Sequence, residues 1–109
     1  MRQEIESNHV SDEDGNPAGG VTNGLGFSIA WQDGPLFVDG EHKSPNGAFV
    51  ETVIAAVVDR IQYYQNAAGG KFACRENALT ITKLEEALHW MDHRTADRTS
   101  RGVEGTHQV

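Results

Sequence analysis

A chain of 109 residues with 16 acidic and 9 basic side chains, formal net charge −7, has room for one domain and is a poor partner for a nucleic-acid phosphate backbone. Its only cysteine, Cys74, excludes an intrachain disulfide and fits a reducing compartment. No stretch has the pattern of a signal peptide and no apolar run has the length of a membrane span, so a soluble intracellular protein is expected, without DNA, RNA or membrane as partner. The charge is uneven. Five acids (Glu4, Glu6, Asp12, Glu13, Asp14) face a single base, Arg2, in the first twenty residues, whereas six of the nine bases (Lys71, Arg75, Lys83, Arg94, Arg98, Arg101) lie from position 71 onward. A local cationic site on an acidic protein suits a small anionic ligand better than a long polyanion.

In chain order, residues 1–24 are polar and rich in glycine, which predicts a flexible, acidic N-terminal arm. A single α+β domain is then expected over residues 25–109. "FSIAWQ" alternates, with Phe27, Ile29 and Trp31 on one face of a half-buried strand. Asp33-Gly34 reads as a turn and "PLFV" as the returning strand, giving a hairpin over about 26–39 with Pro35 at an edge or strand start. A helix is predicted over about 46–66. Ser44 or Asn46 caps it, Pro45 sits in its first turn, and Val50, Val53, Ile54, Val57, Ile61 and Tyr64 recur at helical spacing. Gly69 and Gly70 end it. A second helix over about 75–99 carries Ile81, Leu84, Leu88 and Met91 as a seam for an antiparallel neighbour, and residues 100–109 form a tail. A short sheet or hairpin packed with a two-helix hairpin makes a thin core, and Trp90 with Tyr63 and Tyr64 cannot all enter it, so a homo-oligomer is expected.

Three side-chain patterns suggest chemistry. His89, His93 and Asp97 share a helix face at the spacing of a metal chelate, but Trp90 stands where a metalloprotease has its glutamate base, and a solvated helix face explains the histidines better. Cys74 has no identifiable base or carboxylate partner, and no phosphate loop or dinucleotide fingerprint is present. The third pattern, Arg94, Arg98 and Arg101, projects within about a quarter turn of one helix. Cations near a helix C-terminus complement the macrodipole, yet lysine serves that purpose equally, while arginine offers a planar fork for phosphate and a flat cation for a base. Asn77 has an amide able to read a base edge. Tyr63, Tyr64 and Phe72 are core packing or stacking surfaces.

The run "ACRENALTITKLEEALHWMDHRTADRTSRGVEGTH", with "WQDGPL", "PNGAFVETVIAAVVDRIQYYQ" and "KFACRENA" upstream, resembles the phage Thoeris anti-defence sponge proteins over about residues 25–109. The resemblance implies a protein that performs no chemistry and needs neither cofactor nor metal. Such proteins work in the host bacterial cytoplasm, where they sequester cyclic ADP-ribose isomers made by bacterial TIR-domain enzymes. Some also hold the cyclic di- or trinucleotides of CBASS. It implies dimers, or hexamers built as trimers of dimers, with each pocket formed by two protomers. Carried onto this chain, Asn77, Arg94 and Arg98 match ligand-contacting positions, and Arg101, Gly102, Val103 and Thr106 match a tail over the pocket. Phe72 and Tyr64 are the candidates for an aromatic stacking residue. On this expectation the arginines grip a pyrophosphate and stack on adenine, and Gly102 and Gly105 let the tail fold over the ligand. The alternatives are a metal-dependent nucleotide hydrolase using His89, His93 and Asp97, and a helical protein-interaction module.

Overall fold

The computed structural model describes residues 4–109, which fall into two compact units, one of residues up to Phe49 together with Arg101–Val109, the other Val50–Ser100. The architecture is α+β, as the sequence predicts, and the strand assignments differ. Strands β1 (Ile5–Ser11), β2 (Pro17–Gly24) and β3 (Phe27–Ala30) form an antiparallel sheet in that order, and β4 (Phe37–Val38) pairs with β5 (Glu41–His42) in a small separate hairpin.

Two expectations about the strands are corrected here. Residues 5–24 are not an irregular arm, because β1 pairs with β2 from Ile5↔Gly24 to Ser11↔Pro17. The polar sequence hid this: every residue of β1 is exposed at a sheet edge, so nothing in it alternates. The second correction concerns the partner of "FSIAWQ", which is β2 and not "PLFV". Register places Ile5, Ser7 and His9 on the same face as Gly24, Thr22 and Gly20 and as Phe27 and Ile29. On that face the central strand is nearly bare and the aromatic residues cover it. The Phe27 ring lies directly over Gly24, where any Cβ would overlap it. Trp31 donates from Nε1 to Thr22 Oγ1 at 2.8 Å, and Thr22, which is buried, also shares a 2.9 Å hydrogen bond with Ser7. The sheet is therefore assembled around one buried hydroxyl rather than an aliphatic cluster.

Beyond β3, Ala48 runs parallel to Trp31, its N–H donating to the Ala30 carbonyl at 2.8 Å. Asn46 does not cap a helix. Its Oδ1 accepts from Asp33 N–H at 2.8 Å, its Nδ2 donates to the Asp33 carbonyl at 3.0 Å and its own N–H donates to Gln32 Oε1 at 2.9 Å. With its side chain occupied in this way, the helix starts later, at Val50.

The second unit is a helical hairpin of α1 (Val50–Gly70) and α2 (Arg75–Ser100), which contact each other. Helical dihedrals in α1 stop at Ala67, and Ala68 and Gly69 turn left-handed (φ 50° and 68°), so the regular helix ends close to the predicted position. Gln65 fixes the turn by accepting from Cys74 N–H at 3.0 Å and donating to the Cys74 carbonyl at 3.1 Å. The apolar face of α1 is met in part: the predicted Val53, Ile54 and Ile61 are half-buried, whereas Val50, Val57 and Tyr64 are exposed and Val58 is the buried hydrophobic residue. On α2 the seam residues Ile81, Leu84, Leu88 and Met91 are half-buried as expected.

Candidate functional site

The seam of α2 continues at both ends into polar residues. The seven-residue spacing through Leu84 and Met91 runs back to Asn77, which is half-buried, and forward to Arg98, which is 7% exposed. The three arginines predicted to act as one stripe thus occupy three environments. Arg94 is exposed, and its side chain makes no hydrogen bond or ion pair with the other described residues. Arg98 is buried and engaged in interactions of its own. Arg101 belongs to the sheet-containing unit, where its Nη1 donates to the Val109 carbonyl at 2.7 Å.

Asn77 and Arg94 are seventeen positions apart on one uninterrupted helix. At 1.5 Å per residue that is about 25 Å, so no single nucleotide-sized ligand reaches both from one copy of the chain. Phe72, in the turn between the helices, is exposed with the Lys71 ammonium 5.4 Å from its ring centroid, and it lies on the Asn77 side of that distance. The helical unit therefore carries two separated half-sets, an asparagine with aromatics near the turn and a cationic set near the end of α2.

The tail is ordered by its own contacts. Gly105 accepts from Phe37 N–H at 2.8 Å, which ties the tail to β4. Thr106 bonds the Val103 carbonyl through both its N–H at 3.2 Å and its hydroxyl at 2.5 Å. Gly102 and Gly105 hold φ of 72° and 80°, left-handed values left open by the absence of a Cβ.

His89 and His93 are both exposed, and among the described residues no group of histidine, cysteine and carboxylate side chains is placed to hold a metal ion. His93 instead meets the edge of Trp90, at 5.7 Å between ring centroids. Two prominent side chains stand outside the predicted set: Trp90, 72% exposed, and Arg60, which lies against Tyr63 and Tyr64 on α1. Helical spacing already placed Arg60 next to both tyrosines (i+3, i+4), a signal available in the sequence.

Known proteins resemble the chain over the helical hairpin and beyond it. Residues 35–96 match the hairpin domain of Acb2/Tad1. The chain belongs to the Acb2/Tad1 hairpin family. It is also 52% identical over 81 residues to Thoeris anti-defense 1 of Bacillus phage SBSphiJ7, covering 74% of this chain and 52% of that protein. The chain thus spans about half the length of that relative. The Acb2/Tad1 match contains Asn77 and Arg94 and stops short of Arg98 and the tail. Among the described residues, no helix is long and apolar enough to cross a membrane.

Proposed function

We propose that the protein binds glyco-cyclic ADP-ribose signals of Thoeris defence in the host bacterial cytoplasm and holds them intact, keeping them from their effector. Membership of the Acb2/Tad1 family and the likeness to a Thoeris anti-defence protein support this reading. The observation that carries it is the free Arg94 guanidinium beside a buried Arg98, one turn apart on a helix of an acidic protein. A planar cation without an internal partner is suited to a pyrophosphate or to the face of an adenine.

The separation of Asn77 from Arg94 supports a site shared between copies. We assign each pocket to two copies, Asn77 and Phe72 from one and Arg94 and Arg98 from the other, with Tyr64 as the other aromatic candidate. A two-fold axis relating two α2 helices in opposite directions supplies two equivalent pockets. The tail residues Arg101, Gly102, Val103 and Thr106 are proposed to close over the ligand by exchanging their present contacts for contacts with it. Slow release, which is what sequestration requires, then depends on that closure. The thin core supports the same assembly. Val58 is the one buried hydrophobic side chain among the described residues, while Val57, Leu79 and Trp90 stay exposed.

The test is capture followed by denaturation. The protein is incubated with a glyco-cyclic ADP-ribose, freed of unbound ligand, denatured, and its supernatant chromatographed. Intact ligand in stoichiometric amount is expected. Degraded ligand would instead establish a hydrolase, with His89, His93 and Asp97 as the residues to examine, and absence of ligand a protein-interaction module. Cyclic di- and trinucleotides of CBASS, offered in the same format, test whether the chain takes that second class of signal.

A further inference from the structure

We infer that Arg60, Tyr63 and Tyr64 on α1 form a second binding site, one that takes a nucleoside monophosphate with its phosphate on Arg60 and its base on the open face of Tyr63. The Arg60 guanidinium carbon lies 4.9 Å from the ring centroids of both tyrosines. Its Nε donates to the Tyr64 hydroxyl at 3.1 Å. The two rings are 6.1 Å apart and inclined at 57°, so they hold the guanidinium from two directions. Both remain open to solvent, Tyr63 at 57% and Tyr64 at 42% exposure.

What this arrangement leaves free points to the ligand. Arg60 has five N–H donors and one is used, so the Nη pair keeps its fork for an anion. Among the described residues no carboxylate takes that role: the helical neighbours of Arg60 at three and four residues are Ala56, Val57, Tyr63 and Tyr64. An oriented arginine without an acid, in a chain of 16 acidic residues, is a place for an anion from outside. The adjacent exposed ring adds a stacking face, and an anion joined to a flat heterocycle matches the two together. One fork and one ring face match one phosphate and one base.

The inference needs the cyclic ligand's stacking residue to be Phe72 rather than Tyr64, the other candidate, and the experiment separates the two sites through Arg60 and Arg94. AMP, ribose 5-phosphate and adenosine are titrated at low ionic strength into the whole protein, and ring-proton resonances of Tyr63 and Tyr64 are followed by NMR. AMP is expected to move both and to bind more tightly than either fragment. Arg60→Ala should weaken AMP about tenfold or more, the loss of a charge-assisted contact. Arg60→Lys should lose most of the same affinity, because the fork is gone. Both effects should persist in an Arg94→Lys background, which removes the cationic half-set proposed for the cyclic ligand. Unmoved tyrosine resonances, AMP binding that survives Arg60→Ala, or ribose 5-phosphate binding as tightly as AMP would each overturn the assignment. So would light scattering in which Arg60→Ala shrinks the assembly, since the cluster would then be a contact between copies.

Discussion

Arg94 and Arg98 are neighbours of the same type with different burdens, and substitutions should separate them. Arg98 is buried, so Arg98→Ala removes a charge-assisted contact of about 1.5–3 kcal/mol and also disturbs the fold. Its effect on ligand binding is therefore to be read beside a melting curve. Arg94 is exposed and unpaired, and Arg94→Lys keeps the charge while losing the flat face and the fork. If Arg94 forms the pocket, calorimetry with a glyco-cyclic ADP-ribose should show at least about a tenfold loss of affinity with the melting temperature of the free protein unchanged. Equal affinity would mean that the residue only steadies a helix end. At the opposite end of the chain, Asp12 Oδ1 accepts from the N–H groups of Asn16 and Asp14, both at 2.9 Å. The Asn16 bond first, and then that of Asp14, holds the Asp12 carboxyl below its ordinary value of 3.8. A carboxyl depressed in the folded state adds stability above its unfolded pKa, and loses that contribution as pH falls through the folded one. Asp12→Asn should thus flatten the acid limb of the turn's unfolding below pH 3.8, followed by amide NMR of Asp14 and Asn16. An unaltered limb would show that the turn does not depend on this charge.

The elements differ in how plainly their sequences announced them. The helices were legible because α2 repeats at three and four residues and because Gly69 and Gly70 mark the end of α1. The face of α1 was legible only in part, since Val57 and Val58 are adjacent and only packing decides which one enters the seam. Val58→Ala should cost about 1–3 kcal/mol in denaturant unfolding, and Val57→Ala much less in the absence of a second copy. Strands β1 and β2 were illegible for a different reason. Their cohesion lies in backbone pairing, in the Thr22 hydroxyl and in rings lying across glycines, none of which produces an alternating apolar pattern. Gly24→Val should displace Phe27 and loosen the sheet, which circular dichroism of the aromatic bands would register. For the site, helical spacing found the arginine stripe but could not foresee its division. Burial of Arg98 follows from the seam period that also places Asn77, while Arg94 falls one step beside it.

For the whole molecule, one buried hydrophobic residue among those described is too little to hold a domain of this length alone. Analytical ultracentrifugation at micromolar concentration should find an assembly of two or more copies, with a melting temperature that rises with protein concentration. A stable monomer would remove the shared pocket as well as the assembly. The uninterrupted course of α2 has a consequence for how this protein can change through descent. Because one helix bears both halves of the proposed sites, it serves as a measuring rod whose gauge is copied into every pocket. A single inserted residue advances one half by about 1.5 Å and turns it by about 100° relative to the other. Outside the two half-sets its surface is therefore expected to be open to substitution, while its length is closed to insertion and deletion. One alanine inserted after Glu86 should abolish capture of the cyclic ligand while leaving helix content intact by circular dichroism. Phages escaping a changed host signal would then be expected to alter the letters along this rod and to leave its span alone.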